Sequence, residues 1–247
     1  MSIESQQDLD KLRRIGRIVA LVLQQLKGEV RPGITTAELD RRCAALLAQH
    51  GARSAPRIFY GFPAAICISV NDEAVHGVPR ERVIRGGDLV KLDLVAEQDG
   101  YFADAAITVA VPPVSPHARA LAKCARRAFQ RAVDVIQAGR RIRDVGRAIE
   151  AEVRRGGFAV IRELGGHGVG RAIHEPPEIP NFADRGNDHI LSDGLVIAVE
   201  PIIAAGSGAV YEADDGWTIK TRDGGAAAHY EHTLIVTRGR PLVLTTL

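Results

Sequence analysis

The stretch LVKLDLVAEQDGYFADAAITVAV, residues 89–111, decides the fold, because it sets two carboxylates, Asp93 and Asp104, inside what otherwise reads as a buried hairpin. Residues 89–95 are rich in Val and Leu and residues 101–111 in Ala, Ile and Val, while Glu97-Gln98-Asp99-Gly100 between them has turn chemistry. A turn centred between Gln98 and Asp99 makes positions summing to 197 face each other, so that Asp93 stands opposite Asp104. Cross-strand partners share a face with Cβ atoms about 5 Å apart. Two ionised carboxylates so placed among apolar neighbours repel each other and lose solvation, so the pair needs protons or cations. A shared metal site answers that need; a register displaced by one residue would instead send the two side chains to opposite faces and leave one as an edge or turn residue.

The rest of the composition is that of an ordinary globular chain. With 247 residues, 46% hydrophobic and 25% charged, it has length for one large domain or two small ones and for a substantial core. A net charge of +2 indicates no strong preference for nucleic acid or membrane, and Arg126-Arg127 and Arg140-Arg141 read as solvated helix faces. Cys43, Cys67 and Cys124 are scattered and odd in number, which fits neither a disulfide framework nor a zinc ribbon and suits a reducing cytosol. The N-terminus has no apolar core of a signal peptide, and no uninterrupted apolar run of about 18 residues follows.

Along the chain, Leu9, Leu12, Ile15, Val19, Val22, Leu23 and Leu26 predict an amphipathic helix over residues 6–27. Pro32-Gly33 breaks it, Thr35 or Thr36 caps a second helix over 37–50, and Gly51 ends that one. An irregular aromatic segment, residues 56–63, leads to a strand over 65–70 and a loop to the central hairpin. The second half begins again, with helices over 116–138 and 143–155. Gly33, Glu38-Leu39 and Gly51 recur as Gly139, Asp144-Val145 and Gly157, each 106 positions later. Such spacing implies an internal duplication, hence two related α+β halves sharing one sheet with a cleft on their pseudo-axis.

Further carboxylates interrupt apolar strands: Glu200 within LVIAVEPII (195–203) and Glu231 ahead of HTLIVT within HYEHTLIVT (229–237). Each alone reads slightly better as an edge-strand acid, but three acid-interrupted strands together favour one site. His167 stands in GGHGVG (165–170), where glycines let backbone approach closely and leave the imidazole unobstructed; no GK[ST] follows, so a nucleotide loop is disfavoured. Oxygen-rich ligation with one imidazole suits Mn(II), Fe(II), Co(II) or Zn(II), and four carboxylates with one His would neutralise two divalent ions. A pair of such ions, about 3.5–4 Å apart, bridges a hydroxide and polarises a carbonyl or phosphoryl oxygen.

From about residue 5 to the C-terminus the chain resembles the type I methionine aminopeptidases of the pita-bread fold. The resemblance rests on CISVNDEAVHGVP (67–79), GDLVKLDLVAEQDGYFADAAITV (87–109), ELGGHGVGRAIHEPPEIP (163–180), GLVIAVEPII (194–203), WTIKTRDG (217–224) and HYEHTLIVT (229–237), in that order. It implies an α+β fold of two pseudo-symmetric halves, about 5–112 and 113–247, around a curved antiparallel sheet, the whole of residues 1–247 forming one catalytic domain. It also implies two divalent ions (Co, Mn, Fe, Zn or Ni), with Asp104 and Glu231 bridging them, Asp93 completing one shell and His167 with Glu200 the other. The family's two further histidines fall on His76 and His174. By resemblance, a metal-bound hydroxide attacks the carbonyl after an N-terminal Met, Glu200 carries protons, His174 supports the carbonyl oxygen or adjoining peptide, and His76 contacts the leaving amide. The Met pocket falls on Phe59, Phe62, Cys67 and Trp217, with a small second residue preferred. Expected partners are N-terminal Met residues of nascent chains and, transiently, the ribosome; a cytoplasmic monomer is implied, with no specific nucleic acid or membrane.

Two departures bear on the pocket: Ile173 stands where bacterial relatives commonly have Phe, and Phe59 and Phe62 replace tyrosines. The chain lacks the N-terminal zinc-binding extension of some eukaryotic type I enzymes, and 33 positions from His167 to Glu200 leave no room for the insertion of type II enzymes. The alternatives are a Xaa-Pro aminopeptidase or prolidase, which shares the ligands but normally carries an extra N-terminal domain, and a non-catalytic pita-bread binding module, which typically loses ligands.

Overall fold

Leu12, Ile15, Val19, Val22, Leu23 and Leu26 recur at helical spacing, and in the computed structural model, which describes residues 1–247, they form the buried face of α1 (Gln6–Glu29). Ser5 caps it, its hydroxyl accepting from the Asp8 amide at 3.1 Å. α2 (Thr36–Gln49) begins one residue earlier than the sequence predicts, with Thr35 and Glu38 in a reciprocal capping box. The aromatic segment expected to be irregular holds a short helix, α3 (Ala55–Phe59), with Pro56 in its first turn, where a missing amide costs nothing. In the second half α4 (Pro116–Val135) stops three residues short of the expected end, because Ile136 turns extended with its amide on Ala132 O. α5 spans Ile142–Arg155. Its bounds lie 106 positions beyond those of α2 at both ends, and Gly139 and Gly157 repeat the left-handed backbone of Gly33 and Gly51. No helix is long and apolar enough to cross a membrane.

A nine-stranded, wholly antiparallel sheet joins the halves. Its main path runs Arg53–Ser54, Leu89–Gln98, Tyr101–Ala110, Glu231–Ile235, Val196–Val199, Gly165–Gly168 and Glu175–Pro180. Cys67–Val70 pairs with the second of these strands and Leu242–Val243 with the fourth. The strand expected over 65–70 is thus confined to Cys67–Val70. On the central hairpin Val90, Leu92, Leu94 and Ala96 enter a core shared with α1 and α2. A second core, around α4 and α5, takes Ile197, Val199 and Leu234 from the other strands.

The hairpin register differs from the expected one. Val95 faces Asp104 and Asp93 faces Ala106, so opposed positions sum to 199. The turn is Asp99-Gly100, both with positive φ (55° and 78°), a type I′ arrangement whose twist matches the strands better than one centred a residue earlier. A displacement of two preserves parity. Asp93 and Asp104 therefore stay on the face opposite the α1 core, but as diagonal neighbours instead of a directly opposed pair.

The expected single strand over 195–203 is also divided. Val196–Val199 belongs to the large sheet, and Ile202–Ala204 to a three-stranded sheet with Ala227–His229 and Ala159–Val160. Pro201 has no amide to give a ladder, which places the break there. Its neighbour changes sheets at the same level: His229 ends one strand and Glu231 begins the next. Across the break His229 pairs with Ile202 and His232 with Val199. Glu200 and Glu231 thus sit side by side where two strands pass together from one sheet to another. A second three-stranded sheet, Glu73–Val75, Ile219–Thr221 and Val210–Glu212, carries the loops of His76 and Trp217 to the same place.

Candidate metal centre

Asp93, Asp104, His167, Glu200 and Glu231 converge on one cavity of about 250 Å³, whose walls include His76, His174, Phe62, Cys67 and Trp217. Asp104 is fixed from the backbone: Thr233 Oγ1 accepts from its amide at 2.9 Å and donates to its carbonyl at 2.8 Å. His167 is fixed by its glycines. A Cβ at Gly166 would lie 2.2 Å from the Ala198 carbonyl oxygen and one at Gly168 2.3 Å from that of Pro176, so only glycine lets these strands close around the imidazole. His167 Nδ1 donates to the Gly168 carbonyl at 2.9 Å, which assigns the tautomer and leaves the Nε2 lone pair facing Asp104 Oδ2 (3.8 Å) and Glu200 Oε1 (3.5 Å). A ring held by its far nitrogen on a carbonyl is the usual arrangement of a metal-binding histidine.

The electrostatics ask for cations. Burial, reinforced by mutual repulsion with Glu231 and Asp93, holds the Asp104 carboxyl well above its ordinary range; Glu200 is raised for the same reasons, with Glu231 its strongest acidic neighbour. Burial and then Asp93 raise Glu231, and burial raises Asp93. Burial lowers His167 to about 4, so it offers a neutral ring. Asp104 Oδ1 and Glu231 Oε1 are buried without any hydrogen-bond partner. Potential ligand atoms of Asp104, His167 and Glu231 all lie within 4.8 Å of one another, as do those of Glu200, His229 and Glu231. Unpaired buried oxygens, clustered acids and one oriented imidazole fit divalent ions that take mixed oxygen and nitrogen ligands. Asp93 lines the cavity beside these two groups without belonging to either.

The apolar side differs from expectation at one residue. Phe59 does not line the cavity: it ends α3, is 52% exposed and packs edge-on against Phe102 with centroids 5.3 Å apart. Tyr60, the next residue, faces inward, its hydroxyl 2.8 Å from His174 Nδ1. The short helix, unforeseen from the sequence, turns successive aromatics in different directions. Phe62 and Trp217 meet edge to face at 5.2 Å, and buried Cys67 and Ile173 complete the wall. His76 holds a left-handed backbone (φ 56°), an uncommon conformation for a non-glycine residue and one that recurs at functional sites. His174 lies against His167, with ring centroids 4.3 Å apart. His229, which sequence reasoning passed over, lies beside the acids, its Nε2 3.3 Å from Glu231 Oε2 and 3.6 Å from Glu200 Oε2. Its one signal was a position two residues before Glu231, which in an unbroken strand shares that residue's face.

A family model for metallopeptidase family M24 matches residues 10–238. Among curated proteins, methionine aminopeptidase 2 of Bacillus subtilis is 41% identical over 249 residues and methionine aminopeptidase of Aquifex aeolicus 40% over 258, each alignment covering 100% of both chains. Among solved structures, methionine aminopeptidase of Thermotoga maritima superposes with a TM-score of 0.97 at 34% identity, covering 100% of both chains. Prolidase of Pyrococcus furiosus gives a TM-score of 0.80 at 21% identity, with 99% of this chain but 65% of that one covered; this likeness is one of fold.

Proposed function

The chain belongs to metallopeptidase family M24, and we propose that Asp93, Asp104, His167, Glu200 and Glu231 hold two divalent ions with which it hydrolyses the peptide bond after an N-terminal methionine. It is a divalent-metal-dependent methionine aminopeptidase. The observation that carries the ligand assignment is the pair of buried, partnerless oxygens, Asp104 Oδ1 and Glu231 Oε1, inside a cluster of acids held above their ordinary pKa range. When bound, the ions supply Lewis acidity and a water acidic enough to act as nucleophile near neutral pH.

The chain's own residues do the rest. Glu200, at the cavity wall with a carboxyl raised by burial, accepts and returns a proton during attack and departure. Tyr60 donates its hydroxyl hydrogen to His174 Nδ1, which leaves Nε2–H of that ring to support the scissile carbonyl oxygen. His76 contacts the leaving amide from its strained loop. Phe62, Cys67, Trp217, Tyr60 and Ile173 surround the methionine side chain, for which an apolar, sulfur-tolerant lining is suited. A small residue is preferred at the position after the methionine. In this reading residues 1–247 act as a single catalytic domain, a cytoplasmic monomer that meets nascent chains and transiently the ribosome.

The test is to strip the protein with chelator, add Mn(II), Fe(II), Co(II), Ni(II) or Zn(II) singly, and measure methionine release from Met-Ala-Ser and Met-Lys-Ser. Metal-dependent release from the first and little from the second is expected. No release with any ion would overturn the proposal.

A further inference from the structure

The mechanism leaves one buried ionisable ring beside the acids without a task. His229 is 1% exposed, and neither of its ring nitrogens has a hydrogen-bond partner, an expensive condition for a buried imidazole. Its position is set from the backbone. Its amide donates to Thr108 Oγ1 at 2.9 Å and its carbonyl accepts from the same hydroxyl at 2.7 Å, which ties the end of its strand to the central hairpin. From there Nε2 reaches Oε2 of Glu231 at 3.3 Å and Oε2 of Glu200 at 3.6 Å, and neither contact yet has hydrogen-bond geometry. Unlike the five ligands assigned above, His229 contributes nothing to the cavity wall.

We propose that His229 is a positioning residue: its Nε2–H donates to Oε2 of Glu231, with Oε2 of Glu200 beside it, and so fixes the orientation in which these two carboxylates meet the ions. The proposal rests on the assignment of Glu200 and Glu231 as metal ligands. A carboxylate oxygen that binds an ion keeps a further lone pair, and a donor to it restricts the carboxylate's rotation before the ion arrives. Glu200 stands between two strands, where no ladder holds it, and Glu231 opens its strand opposite Ala106, so its ladder holds it from one side only. A neutral imidazole has one N–H to give and leaves the charge balance of four carboxylates and two divalent ions unchanged. Direct ligation by His229 is the competing role, since its ring lies within 4.8 Å of ligand atoms of Glu200 and Glu231; against it stands that His229 does not line the cavity.

Calorimetric titration of the chelator-treated protein with Mn(II) tests this without turnover. His229→Phe should fold and bind the ion about 10–100-fold more weakly, whereas His229→Gln, which restores an N–H donor, should recover most of the affinity. Unchanged affinity in His229→Phe would overturn the proposal. A second measurement needs no variant to fold. In the Zn(II)-loaded wild-type protein labelled with ¹⁵N-histidine, the His229 ring should keep a proton on Nε2; a proton-free, metal-shifted Nε2 would make it a ligand and overturn the positioning role. Glu231→Ala is the control for the underlying assignment. Normal ion binding in that variant would refute the ligand set itself, whereas its loss together with an unaffected His229→Phe would refute the His229 inference alone.

Discussion

At Asp104 and Glu231 the cost of burying charge and the use made of it coincide. If the proposed ligand set is right, replacing either by Ala removes a ligand, so metal content and methionine release should fall together; two tightly bound ions with normal turnover would show the assignment wrong. His174→Ala should keep its ions yet lose about 10²–10³ in kcat, because one transition-state donor is removed; a raised KM at normal kcat would make His174 a uniform binding residue. The acids also set a pH dependence. Asp104, Glu200 and Glu231 are raised above their ordinary values, so the stability they contribute is present at low pH and lost as pH rises through the raised values. Chelator-treated protein should therefore lose Tm as pH rises above the ordinary carboxylate range, while excess Mn(II), which binds the deprotonated acids, should oppose that loss. Parallel melting profiles with and without Mn(II) would contradict this. The acids were legible in the sequence because a carboxylate in a Val- and Ile-rich strand is conspicuous. His229 was not, since a histidine beside an aromatic and an acid has many ordinary explanations, and Tyr60 was missed for Phe59 because α3 rotates the pair.

Between residues and fold stand the elements that aim them. The hairpin could be read from its alternation and its Asp99-Gly100 turn, and an error of two in register cost little because the period of a strand is two. An error of one would have sent Asp93 to the helix-facing side. The division of residues 195–203 at Pro201 was less visible, since LVIAVEPII is apolar throughout, and only the missing proline amide marks where the chain leaves one sheet for another. His167 depends on its strand in a testable way. Gly166→Ala would place a methyl 2.2 Å from the Ala198 carbonyl oxygen, in backbone that has nowhere to retreat. The expected result is a loss of stability of about 1–3 kcal/mol, as for other overpacked sites, together with weaker ion binding as His167 is displaced from Asp104 and Glu200. Denaturant unfolding with and without Mn(II) separates the two effects, and a variant equal to wild type in both would show that the close approach does not hold the imidazole.

Over the whole chain, the 106-residue recurrence of glycines and helices anticipated the paired helices α1–α2 and α4–α5. The three sheets it could not anticipate, because strand partners distant in sequence leave no local periodicity. What the assembled cavity does with a substrate follows from its size and lining. The apolar residues Tyr60, Phe62, Cys67, Ile173 and Trp217 line one part of the cavity of about 250 Å³ that also holds the acids, and if that part takes the first side chain, each buried methylene it lacks forfeits roughly 0.8 kcal/mol. Methionine should therefore exceed alanine at the first position by a wide margin. Leucine is the informative competitor, since its hydrophobicity is similar and shape alone excludes it. Ile173, buried in the wall, is smaller than Phe and leaves room for a branch, so slow cleavage of Leu-Ala-Ser is expected at about 10–200-fold below Met-Ala-Ser, the range a methylene-sized difference can supply. Ile173→Phe should widen that ratio without changing ion content. Specificity constants for Met-Ala-Ser, Leu-Ala-Ser and Ala-Pro-Ala, with EDTA as control, decide the matter: preference for Ala-Pro-Ala would assign the chain to the prolidase branch of the same fold, and equal rates for Met and Leu would show that the aromatic wall does not select by shape.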